Sequence, residues 1–113
     1  MIILIGDSGQ VTLPCGDLLG CMGENILRTH KVMHPKFGSA YYTMKFVYGD
    51  GSYEEAYVTD GVLVMTEQLL HSVGRVSMQF QATLVENTDV SIFKSEIFSA
   101  RIGESLSAAP EES

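Results

Sequence analysis

Between Val76 and Leu84 the chain reads Val-Ser-Met-Gln-Phe-Gln-Ala-Thr-Leu. Five apolar residues alternate with four polar ones over nine positions, without a break. A strand turns successive side chains to opposite faces, so this run makes one apolar and one wet face. On a helix the same five residues would scatter around the circumference. The run opens after Gly74 and closes at Glu86-Asn87-Thr88-Asp89, with turn chemistry at both ends. A chain built around such a strand is a β domain, and its function is expected on surfaces and loops.

The rest of the chain repeats the pattern. Strands are expected over residues 2–5, 10–13, 25–33, 41–48, 53–58, 62–65, 90–93 and 96–102 around the central one. Tyr42, Met44, Phe46 and Tyr48 share one predicted face, with Thr43 and Lys45 on the other. Gly49-Asp50-Gly51-Ser52 joins two alternating runs and predicts a hairpin closed by a primed turn. Cys15 to Gly23, with three glycines and an aspartate, reads as a loop. Thr66 to His71 breaks the alternation and predicts one helical turn capped by Thr66, with Leu69 and Leu70 plugging an end of the sheet. About eight short strands with turns between them point to an all-β fold, an antiparallel β-sandwich. Residues 1–103 form that domain, and the small, acidic stretch 104–113 reads as a flexible tail or linker.

At 113 residues the chain has room for one domain with a real core. No apolar run approaches the ~18 residues of a membrane span, so no membrane partner is expected. Residues 1–5 are too few, and lack the basic flank, for a secretory signal, so they read as a first strand. Fourteen acids against seven bases leave a net charge of −7. A nucleic-acid backbone would be repelled by that average field, so nucleic acid is not an expected partner. Without a secretory signal, Cys15 and Cys21 are expected to be reduced thiols.

Several constellations carry a chemical alternative. Cys15, Cys21, His30 and His34 contain the His-x3-His half of a zinc finger, but the cysteine spacing is too long and the gap before His30 too short. They remain weak candidates, and no metal or cofactor is expected. Asp7-Ser8-Gly9 after an apolar strand has the form of a retroviral-type aspartic-protease triplet, and Gly6-Asp7-Ser8-Gly9 that of a trypsin-like serine segment. Both lie too near residue 1 for the strands or the histidine such chemistry needs upstream. No phosphate-binding loop occurs. Glu54 and Glu55 read as a solvated edge that discourages strand-to-strand aggregation. Tyr41, Tyr42, Tyr53 and Tyr57 cluster across the predicted hairpin and read first as cross-strand packing. Tyr41, Tyr53 and Tyr57 are also the candidate interface anchors.

Four segments together resemble a known family. Gly23-Glu24-Asn25 precedes an alternating strand that ends at Pro35. Tyr42-Thr43-Met44-Lys45-Phe46 runs on to Gly49-Asp50-Gly51. A strand and Leu-containing turn over 62–70 lead to Gly74, and Lys94-Ser95-Glu96-Ile97-Phe98 opens the closing strand. In this order, across residues 23–105, they are similar to the N-terminal domain of baseplate upper proteins and related tail proteins of phages and prophages of Gram-positive bacteria. The resemblance implies a non-enzymatic β-sandwich that forms a homo-oligomer and docks on other virion proteins. It places the protein in the virion tail, assembled in the bacterial cytoplasm. A carbohydrate- or peptide-binding module is the alternative, weakened by the absence of Trp.

Overall fold

The alternating run becomes the backbone of the whole sheet. The computed structural model describes residues 1–23 and 28–104. Among them are ten strands: β1 (Ile2–Ile5), β2 (Val11–Thr12), β3 (Leu18–Cys21), β4 (Arg28–Met33), β5 (Tyr41–Tyr48), β6 (Tyr53–Thr59), β7 (Val62–Met65), β8 (Gly74–Glu86), β9 (Asp89–Lys94) and β10 (Phe98–Gly103). One 3-10 turn, Gln68–Leu70, lies between β7 and β8. Leu69 and Leu70 are buried there, as expected. Thr66 contributes less than a full cap, because the Leu69 N–H donates chiefly to the Thr66 carbonyl at 3.0 Å, with the hydroxyl at 3.4 Å.

The fold is all-β, but it is not an antiparallel sandwich of eight strands. All ten strands join one continuous sheet in the order β2-β1-β4-β7-β6-β5-β8-β10-β3, with β9 beside the far half of β8. Two pairings are parallel, β1 with β4 and β10 with β3. Period-2 alternation is the same for parallel and antiparallel strands, so the pattern along the chain carries no record of direction. The predicted loop from Cys15 to Gly23 contains β3, whose Leu-Leu-Gly-Cys run is too short to alternate visibly. The predicted tail from residue 105 and positions 24–27 lie outside the described residues.

The sheet curls around one apolar face. Ile3, Val32, Leu63, Met65, Met44, Phe46, Val76, Met78, Phe80 and Ile102 all point inward and are fully buried. Tyr48 joins them, its hydroxyl donating to the Leu69 carbonyl at 2.7 Å. Burial pushes that phenol well above its ordinary range. The curl brings β3 back across the interior to β4, where the His30 Nε2–H donates to the Leu19 carbonyl at 2.8 Å. The Met1 amine nitrogen lies 3.1 Å from His30 Nδ1, so the neutral ring serves as donor on one side and acceptor on the other.

The hairpin turns show the chemistry at work. Between β5 and β6, the Gly51 N–H donates to the Tyr48 carbonyl at 2.9 Å and the Tyr48 N–H to the Ser52 carbonyl at 2.9 Å. Only Gly51 has positive φ, at 87°. This is a three-residue loop with a glycine bulge, not the primed turn expected. The primed turn lies one hairpin later, where Asp60 and Gly61 have φ of 52° and 73°. At Gly51 a Cβ would meet nothing within 4 Å. Gly51→Ala should therefore cost about 1 kcal/mol through backbone conformation alone, read by chemical denaturation.

Candidate docking face

The inner face of β5 and β8 is consumed by the core, so chemistry must come from the outer face. Strand register fixes what stands there. One row across β6, β5, β8 and β9 is Tyr57, Thr43, Gln81 and Lys94. The next is Tyr41, Thr83 and Ile92, and beyond it Val85 opposes Val90. In the other direction follow Glu55–Lys45–Gln79 and then Tyr53–Val47–Ser77–Ser99. The last row sets Arg75 opposite Arg101.

The face is therefore two-ended. At the β10 end, Asp17 bridges the two arginines, 2.8 Å from Arg75 and 3.0 Å from Arg101, and Arg75 also donates to Ser99. The Arg75 hydrogen bond, with Arg101 beside it, holds the Asp17 carboxyl below the usual carboxylate range. At the β9 end, Tyr57, Tyr41, Ile92, Val85 and Val90 are all exposed, Tyr57 by 69%. Among the described residues β9 is an edge strand with β8 on one side, and the β8–β9 hairpin runs on past β5, whose last partner is Thr83. These exposed apolar side chains, set around Thr83 and bordered by Lys94 and Glu86, make this end of the face a candidate interaction surface.

The floor of this face holds a second anomaly. Thr43 is only 5% exposed although it points outward, because the tyrosines cover it. Among the described residues its Oγ1 is buried without a hydrogen-bond partner, and so is Gln81 Oε1 directly across the strand pair. Gln81 spends its Nε2–H on Thr83 Oγ1 at 3.1 Å. A buried polar atom left unpaired costs about 1–3 kcal/mol. Thr43→Val, which keeps the shape and removes the hydroxyl, is expected to raise stability by about 1 kcal/mol in chemical denaturation. A loss of stability would mean that the hydroxyl already has a partner.

The predicted anchors separate on inspection. Tyr41 and Tyr57 meet, ring centroids 6.3 Å apart at 62°. Tyr53 stands on the same face two rows away, its hydroxyl donating to Glu55 at 3.4 Å. Tyr42 belongs to the opposite side, parallel to the Phe80 ring at 5.9 Å with His34 packed against both, and adds no surface to the patch. Sequence reasoning missed Thr43, Gln81, Val85, Val90 and Ile92. The available signal was the Val-Ser-Ile-Phe run of β9, which places an apolar residue on both faces of an edge strand.

The weak metal candidates do not converge. Among the described residues no group of three or more metal-ligating side chains forms. His30 is enclosed by Leu19 and Met1, while His34 stacks on Tyr42 at 4.3 Å and donates from Nδ1 to the Pro35 carbonyl. Cys15 is exposed and Cys21 half-buried, and neither is in a disulfide. Asp7 and Ser8 sit exposed in the β1–β2 turn, with Ser8 donating to Gln10 at 2.6 Å.

Burial, followed by the repulsion of nearby positive charge, lowers the His30 pKa below the ordinary histidine range. A depressed folded-state pKa means that the unfolded chain binds the proton better. The stabilisation is therefore present above about pH 6.5 and lost as pH falls below it. Thermal midpoints should fall through this window in the wild type, and less steeply in His30→Gln.

Comparison with models of known protein families finds no match, and a search of curated proteins finds no relative.

Proposed function

We propose that this protein works by docking rather than by catalysis, as a structural component of a phage or prophage tail that assembles into a homo-oligomer and onto neighbouring virion proteins. The single observation that carries the docking reading is the outer-face patch of Tyr57, Tyr41, Ile92, Val85 and Val90. It is aromatic and β-branched, spread over one face of four neighbouring strands, and bounded by a strand edge that is unpaired among the described residues. Aromatic anchors and depletion of charge are what distinguish the core of an interface from ordinary surface. An open edge adds unspent backbone hydrogen bonds to the same region. The tail assignment is supported by the four segments named above, which fall on β4, on β5 with its turn to β6, on β7–β8 and on β9–β10, positions 24 and 25 lying outside the described residues.

Sedimentation equilibrium tests the reading. A mass above the monomer at micromolar concentration, falling to the monomer when the patch is charged, is the expected result. A strict monomer that also binds no co-expressed neighbouring gene product would overturn it.

A further inference from the structure

The patch has a chemically distinct centre. A cavity of about 220 Å³ is lined by Tyr41, Thr43, Glu55, Ala56 and Tyr57. Every functional group that it offers suits a cationic donor. The ring faces of the two tyrosines carry negative quadrupolar charge. Glu55 is a carboxylate on the same face, and the whole chain carries −7. Thr43, nine-tenths buried with an unpartnered hydroxyl, forms the floor. Gln81 Oε1, another unpartnered acceptor, lies across the strand from it. Two cations stand nearby. Lys45 is opposite Glu55 but forms no ion pair with it among the described residues, and Lys94 lies at the far end of the Tyr57 row. Neither lines the cavity.

We propose that this cavity receives an arginine side chain from the docking partner. A guanidinium is flat, permanently charged and rich in donors without an acceptor. Laid on one tyrosine ring, with the second ring at 62° closing its side, it would turn its N–H groups toward Glu55, and a small parting of the rings would open the Thr43 hydroxyl, sealed from solvent in the free protein, as a second acceptor. A lysine ammonium fits less well, because it has no plane to stack and keeps its water more strongly. An anion would meet Glu55 and find no cation in the lining. The inference rests on the docking reading and adds the identity of the group recognised.

The test is an NMR titration of the full chain with a short capped Gly-Arg-Gly peptide at low salt, beside its citrulline, lysine and N-acetylglucosamine counterparts. Arginine should shift the amides of Tyr41, Thr43, Glu55 and Tyr57 saturably, and citrulline should not. Glu55→Gln and Thr43→Val should each weaken the response several-fold while leaving the remaining spectrum in place. Lys45→Met should strengthen it, since it removes a positive charge one strand away that repels the guanidinium. Raising the salt should weaken it through screening. Equal shifts with citrulline, an unchanged response in Glu55→Gln, or saturation by the sugar alone would overturn the proposal. If Ile92→Glu abolishes assembly while the arginine peptide gives no shift, the docking face stands and the arginine assignment falls.

Discussion

Phe80→Ala is expected to lower the unfolding free energy by about 3–5 kcal/mol, the range for deleting a fully buried aromatic ring. Phe80 sits where three parts of the fold meet. Its ring lies 4.8 Å from His34, 5.9 Å from Tyr42 and 6.5 Å from Phe93. Its backbone exchanges hydrogen bonds with Ser95, which joins β9 to β10. Phe80 N–H donates to Ser95 Oγ at 3.0 Å, and Ser95 N–H to the Phe80 carbonyl at 2.9 Å. Truncation would leave a void that a sheet paired on both sides of β8 has little freedom to close. Guanidinium denaturation with an unchanged slope would read the loss directly. A cost no larger than that of exposed Val47→Ala would contradict the placement of this ring.

The second large effect concerns assembly rather than stability. Ile92→Glu should weaken the proposed association by at least about tenfold, with Tyr57→Ala close behind it. Ile92 is exposed in the free protein, so a charge there costs the fold little. Within a desolvated interface the same carboxylate would be buried without a partner, which is among the costliest things an interface can hold. Sedimentation across a concentration series checks this, with circular dichroism showing the fold intact. Val73→Glu, on exposed surface just ahead of β8 and at the opposite end of that strand from Val85, serves as the control and should leave the mass unchanged. If both variants assemble like the wild type, the interface lies elsewhere.

Much of this was legible in the chain, and the divisions are physical. β5, β7 and the core of β8 could be read to within a few residues, because alternating burial is a local property written in consecutive side chains. Leu69 and Leu70 likewise announced themselves by breaking the alternation. β3 was hidden because two consecutive leucines followed by Gly20 have no period to detect. The parallel pairings were hidden for a different reason. β10 meets β3 through partners such as Arg101 and Leu18, and no turn between them dictates their direction. Of the candidate site, the tyrosines were visible by type, but which of them point outward depended on register. Tyr41 and Tyr42 are neighbours in the chain and lie on opposite faces of the sheet. Thr43 and Gln81 were not visible at all, since an unsatisfied hydroxyl exists only once its surroundings are built.

The pairing of β3 with β10 also sets an order of events during synthesis. β3 leaves the ribosome early, yet the ladder partner recorded for it is the last strand of the described chain. Until β10 emerges, β3 has no ladder partner among the described residues, and only the hydrogen bond from His30 to the Leu19 carbonyl and packing on β4 and the 3-10 turn hold it to the interior. Contacts this distant in sequence must close a long loop before they return any energy, so they slow the final step. A nascent chain arrested before residue 98 should therefore remain sensitive to protease around β3, and gain resistance there only when its final strand arrives.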